Sequence, residues 1–313
     1  MKRYIPFFLN TLIAILILQG CLMGETEQEK RIRKDDEAIE SYLQEHNIHA
    51  ELSSSGVHYE VLEENSQGKQ IKADHVAGIL YTMKRLDGKD VESHSDRQRP
   101  LRFSYSRNAL IPAGLNYEIG RMKAGETLRF YIPSYQAFNN YNHDNLFPPY
   151  TNFIMEVELV EVKTEEEVYE QEVDSIQSFI KYNGIEAESY PNGLYYVEVE
   201  EGSGAAPKGN SLVKFHFTRK YLDGTVIEST EEGDPVQEYL NSNRLVRGLE
   251  EGIKLMKEGG KAELIMPSKM AFGKSIQVIP QQVREDWVKE DQINPLVKPY
   301  SPVIYEVELL SVN

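Results

Sequence analysis

Cysteine is almost absent: Cys21 is the only one in 313 residues, so no disulfide can form within the chain. Tryptophan occurs once, at Trp287, and histidine seven times. His46 with His49, and His143 with Asp144, lack the further ligands that a metal site needs, so solvated side chains are expected and no metal is assigned. Cations are in short supply too, with 34 Lys and Arg against 50 Asp and Glu and a formal charge of −16. A nucleic-acid groove needs clustered Lys and Arg, so nucleic acid is excluded as a partner. Phosphate loops fail on inspection: GRMKAGET places Glu126 where the lysine must stand, and Gly273-Lys274-Ser275 has Ser268 in place of the first glycine. No cofactor is expected.

What is present is a hydrophobic content of 40%, enough for globular structure. The length suits two domains, each with its own core. Met1 to Cys21 reads as an export signal, with Lys2 and Arg3 as the basic start and Ile5 to Leu18 as the apolar stretch. Leu18-Gln19-Gly20-Cys21 resembles a bacterial lipobox, in which residues 1–20 are removed and Cys21 is acylated. An acyl chain would tether the body to a membrane outside the cytoplasm, at the outer membrane or facing the periplasm. A polar tether over 21–34 is expected to follow.

The rest of the chain is written twice. RLDGKDVES at 85–93 returns as YLDGTVIES at 221–229, each reading as two strands around an Asp-Gly turn. Ile39, Tyr42, Leu43 and Ile48 correspond to Ile176, Phe179, Ile180 and Ile185 at an offset of 137, and the first three have helical spacing. The offset drifts to 136 through the hairpin and to 134 at Pro133-Ser134 and Pro267-Ser268, as loop indels produce. A second helix is expected at Ala113 to Met122 and at Arg247 to Met256, where apolar residues recur on one stripe. The final strands sit 150 apart, so the second unit carries an insertion over 274–298. The fold class is α+β with mostly antiparallel strands: unit one over 35–162, a linker over 163–171 and unit two over 172–313. A single helix from Thr164 to Ile180 is the alternative to a loose linker.

The order of motifs resembles the FKBP-type peptidyl-prolyl isomerases, twice over. In the second unit the run is GLYYVEVEEGSG, VKFHFT, YLDGTVIES, RLVRGLEEGIKLMKEGGKAELIMPS, AFG and VIYEVELLSV. The first unit keeps the same order with GVHYEVLEENSQG, ILYT, RLDGKDVES, IPAGLNYEIGRMKAGETLRFYIPS, AF, FPP and IMEVELVEV. The resemblance implies two domains, each an antiparallel sheet curled around a short helix with a ligand pocket between them. It implies catalytic positions at Tyr81, Glu92 and Phe138 in the first unit and at Phe217, Glu228 and Phe272 in the second. It implies substrate-binding positions at Val91, Leu101, Ile111, Leu115, Phe147 and Met155, and at Ile227, Val236, Val246, Leu249, Val297 and Tyr305.

Several positions depart from the family pattern. Glu92 and Glu228 stand where Asp is usual, Leu115 and Leu249 where Trp forms the floor, and Phe138 and Phe272 where Tyr is usual. Tyr81 can pair with Glu92, whereas Phe217 leaves Glu228 without that partner. The chemistry implied is rotation about X-Pro bonds, whose barrier of about 20 kcal/mol reflects amide resonance. A dry apolar pocket weakens that resonance without nucleophile or metal. Two functions follow from the same grooves: isomerisation of X-Pro bonds in exported polypeptides, or peptide binding by a chaperone with one or both pockets degenerate. Trp287, Val283 and Val288 give the insertion an apolar face, which is expected to cover the second groove as a lid or to pack on the outer sheet.

Overall fold

The computed structural model describes residues 25–293 and 296–313. The export signal, Cys21 and the first residues of the expected tether lie outside the described residues. The tether reading is corrected beyond them. Helix α1 spans Glu27–Glu45, so most of the polar run to residue 34 is helical. Its start is fixed by a capping box in which Thr26 Oγ1 accepts from the Glu29 N–H and the Thr26 N–H donates to Glu29.

Unit one follows with β1 (Glu51–Leu52), β2 (His58–Glu63), β3 (Val76–Arg85), β4 (Asp90–His94), β5 (Leu101–Ser104) and β6 (Leu110–Ile111). Helix α2 (Ala113–Ile119), β7 (Glu126–Ile132) and β8 (Phe153–Lys163) complete it. The sheet order is β1-β2-β7-β8-β3-β4, antiparallel throughout, with β5 also on β3. Alternation turns Phe153, Met155, Val157 and Leu159 of β8 inward, and α2 presses Leu115 and Ile119 onto them. The Asp-Gly turn closes through the Gly88 N–H to the Arg85 carbonyl at 2.9 Å, with Gly88 at φ 86°.

Helix α3 (Glu165–Asn183) occupies the charged run between units. It is continuous, so the 163–171 linker is the first part of a rigid spacer. Thr164 and Glu167 form a second capping box, and Gly184 ends the helix in the left-handed region at φ 62°.

Unit two repeats the plan with β9 (Glu188–Ser189), β10 (Tyr195–Glu200), β11 (Leu212–Tyr221), β12 (Val226–Ser229), β13 (Val236–Tyr239), α4 (Arg247–Ile253), β14 (Lys261–Met266) and β16 (Val303–Val312). Its sheet order is β12-β11-β16-β14-β10-β9, with β13 on β11. A Cβ at Gly248 would stand 2.3 Å from Met266 Sδ, so only glycine lets α4 approach β14 this closely.

The two long helices dock alike. Asp35 of α1 is fully buried and accepts from the Ser134 hydroxyl. Glu172 of α3, 2% exposed, accepts from the Ser268 N–H at 2.7 Å and its hydroxyl at 2.8 Å. Each serine follows the proline that ends the strand after the short helix. The repeat therefore extends into the way each leading helix is fastened.

The insertion departs from expectation. It carries β15 (Gln277–Val278) and α5 (Gln281–Lys289), and β15 pairs in parallel with β6 of unit one, Gln277 opposite Leu110 and Val278 opposite Ile111. Val278, Ile279 and Val283 are buried in the core of unit one, not unit two. Both expected placements, a lid over the second groove and packing on the outer sheet, are corrected accordingly. Among the described residues no helix is long and apolar enough to cross a membrane.

Candidate active site

In unit one, β3 and β4 pair Met83 with Glu92 and Tyr81 with His94, and the Tyr81 hydroxyl reaches diagonally to donate to Glu92 Oε1. Behind them lies an apolar pocket. Tyr81, Leu101, Leu115, Phe138, Phe147 and Met155 are all buried in one cluster, with Val91 and Ile111 packed against it. Phe138 stacks on Phe147 at 5.1 Å, and Phe153 stands edge-on to both. Burial pushes the Glu92 carboxyl up from the ordinary range, against the hydrogen bonds from Tyr81 and the Gln281 N–H, which favour its charge. Burial also pushes the Tyr81 phenol up, keeping it a donor.

The groove is not empty, because the second unit's insertion runs through it. Asn116, buried on α2, receives the Leu110 N–H at 3.0 Å and donates to the carbonyls of Ser106 and Arg107, so the β6 edge is held rigidly. Along that edge the Gln277 N–H donates to the Ala109 carbonyl and the Ile279 N–H to the Ile111 carbonyl, each at 2.9 Å. Pro280 follows, buried, and the Gln281 N–H donates to Glu92 Oε2 at 2.7 Å. Beyond it Trp287 meets Tyr141 edge-on at 5.7 Å and Phe138 at 6.3 Å, and Asp286 lies 3.2 Å from His143. Sequence reasoning missed this use of Ile279, Pro280 and Gln281. The one available signal was the apolar run Val278-Ile279-Pro280 at the mouth of the insertion, which does not say which unit it enters.

In unit two Leu249, Val297 and Tyr305 are buried in one cluster, and Phe217, Ile227, Val236, Val246 and Phe272 pack against it. All the positions expected from the resemblance thus converge here as well. With Phe217 in Tyr81's place, Glu228 has no tyrosine partner, as expected, but it is not alone: Arg219 reaches across from β11 and pairs with it. The Arg219 side chain is 8% exposed and that of Glu228 44%. Its guanidinium sits 4.5 Å from the centre of the Phe272 ring and donates to the Tyr305 hydroxyl at 3.0 Å. A cation therefore stands within the second groove, at the register position that Met83 fills in the first. Inward alternation of Val213, Phe215 and Phe217 on β11 leads directly to Arg219, so this feature was readable from the sequence.

A cleft of about 1010 Å³ lies between the units. It is lined by Tyr81, Glu92 and Leu101 from the first, by Gln171 and Asp174 of α3, and by Tyr221 and Tyr300 from the second. Arg99 spans it to Asp223 at 2.8 Å.

The sequence segments that carry these two grooves match a known protein family. The sequence profile of the FKBP-type peptidyl-prolyl cis-trans isomerases matches residues 67–160 and 203–310, more than half of the chain, and the chain belongs to that family. It is 30% identical over 138 residues to the FKBP-type peptidyl-prolyl cis-trans isomerase FkpA of Escherichia coli, covering 44% of this chain and 43% of that protein. It is 30% identical over 130 residues to the macrophage infectivity potentiator of Trypanosoma cruzi, covering 41% and 57% respectively. The chain thus spans about half the length of these relatives. Among solved structures, the three FKBP domains of wheat FKBP73 align over 83% of this chain and 96% of that one at 22% identity and a TM-score of 0.33. The structure of FkpA from Escherichia coli aligns over 48% and 62% at 26% identity and a TM-score of 0.37.

Proposed function

We propose that the chain catalyses cis-trans rotation about X-Pro bonds of exported polypeptides, each unit offering one groove. The observation that carries this reading is the first groove's grip on an X-Pro segment. The Ile111 carbonyl holds the residue before proline and Glu92 holds the N–H after it, so both flanks are anchored while the bond between them lies among apolar side chains. Anchors on either side with few polar groups between them suit rotation, because the planar form of the amide is the more charge-separated one and loses most in a dry site. In this reading Tyr81, Glu92 and Phe138, and in the second groove Phe217, Glu228 and Phe272, act on the rotating bond. The remaining apolar positions hold the substrate.

The site of action is part of the proposal. Cleavage before Cys21 and acylation there would hold the two units at a membrane surface outside the cytoplasm. A second reading, peptide binding without turnover in unit two, is favoured by Arg219, whose buried charge makes that groove less apolar than the first.

Isomerisation of a short X-Pro peptide, followed by exchange NMR on the full chain and on a chain lacking 275–294, tests the assignment. Catalysis that disappears on combining Phe138→Ala with Phe272→Ala supports it. Peptide binding with no acceleration in either chain leaves the binding reading in its place.

A further inference from the structure

We propose that the segment Gln277–Trp287 of unit two is a tethered pseudosubstrate of the first groove, which it keeps closed to polypeptides of the class it imitates: extended chains with a branched aliphatic residue before proline and a free N–H after it. The proposal rests on the reading of that groove as an X-Pro site, and the experiment below separates the two.

Three observations carry it. The segment enters as a strand, adding to the β6 edge through parallel pairing, which any extended peptide can imitate because only backbone groups take part. At the groove its side chains are those of a ligand: Val278, Ile279 and Val283 are 2%, 0% and 0% exposed among the apolar side chains of unit one. Finally, the N–H after Pro280 satisfies Glu92, a half-buried carboxylate that the framework of unit one otherwise leaves with only the Tyr81 hydroxyl. Each contact is one that an incoming X-Pro polypeptide would have to make itself.

The tether makes this competition strong. An attached ligand acts at an effective concentration on the order of millimolar, so a free peptide must displace it before binding. The same helix also reaches the other groove, since Arg284 of α5 lies against the carbonyls of Leu296 and Val297, and Val297 is buried in the second core. Leaving the first groove therefore disturbs the rim of the second.

The test uses a fluorescein-labelled peptide containing Val-Ile-Pro-Gln. The full chain is compared with one lacking 275–294 and with Gln281→Pro. The latter removes the N–H given to Glu92 at the first position of α5, where proline is well tolerated. Affinity for the peptide is expected to rise at least about tenfold in the deletion and about tenfold in Gln281→Pro, the worth of one hydrogen bond to a charged acceptor. In the unaltered chain, saturating peptide is expected to shift Trp287 emission to the red as that ring leaves Phe138 and Tyr141. Equal affinity in all three chains, with no shift in Trp287 emission, overturns the proposal. If the deletion binds tightly yet does not isomerise, the catalytic reading fails and the pseudosubstrate stands. If all three chains isomerise X-Pro bonds equally, the pseudosubstrate fails and the catalytic reading stands.

Discussion

At the scale of single residues, the two grooves differ most at one register position, Met83 in the first and Arg219 in the second. A buried cation is tolerable only while its partner stays in place, and replacing such a cation by an apolar side chain of similar size is often neutral or stabilising. Arg219→Met is therefore expected to leave the thermal midpoint unchanged or slightly raised, because Glu228 is 44% exposed on its side chain and regains water. Glu228→Ala should be the costlier change, since it strands a guanidinium that is only 8% exposed. Parallel melts of the two variants check the order, and a lower midpoint for Arg219→Met than for Glu228→Ala would contradict it. Arg219→Met is also expected to raise the affinity of the second groove for apolar X-Pro peptides. This contrast was legible in the strand pattern, where strict alternation puts residue 219 inside. The pairing with Glu228 was not, because alternation gives the face of a side chain and not its reach.

At the scale of elements, the sequence was most informative where periodicity is long. The apolar spacing of Ile176, Phe179 and Ile180 gave a helix, and α3 is that helix, started by Thr164 and stopped by Gly184. Its fastening by a buried glutamate was not visible, because a lone Glu at residue 172 reads as one more member of a charged run. Glu172→Ala removes the acceptor of two buried donors on Ser268 and is expected to cost about 1–3 kcal/mol in the stability of unit two, measured by urea denaturation. Burial raises the Glu172 carboxyl above the ordinary range, against the two donors from Ser268. The folded state thus holds a proton that the unfolded chain has released, so this group's contribution is fully present below the ordinary glutamate range and is lost as pH rises through the raised value. Glu172→Gln removes that loss. Its midpoint relative to the parent chain is expected to improve as pH rises from the ordinary glutamate range, and a difference that does not change with pH would show that the carboxyl is not responsible.

At the scale of the whole molecule, the repeat implies two domains, each with its own core, and each has a complete sheet and its own short helix. What one unit's pattern cannot tell is that part of its core comes from the other. Val278, Ile279 and Val283 satisfy the apolar demand of unit one, and their periodicity says only that some surface covers them. Burying a side chain of this kind is worth roughly 1.5–3 kcal/mol, so the three together bind the units by several kcal/mol before the cost of ordering the insertion. Val76 of β3, Val168 of α3 and Tyr300 of unit two form a further shared cluster. The surface ion pairs across the junction, Lys69 with Glu167 and Arg99 with Asp223, have exposed partners and add little. Thermal unfolding of the full chain is therefore expected to be one transition, little changed between low and high salt because the junction is apolar. Removing 275–294 should split it, with unit one melting first and at a lower temperature than in the parent, since its groove then faces water. Calorimetry distinguishes the outcomes: two transitions already present in the parent chain, or a single one surviving the deletion, would mean that the insertion does not couple the units.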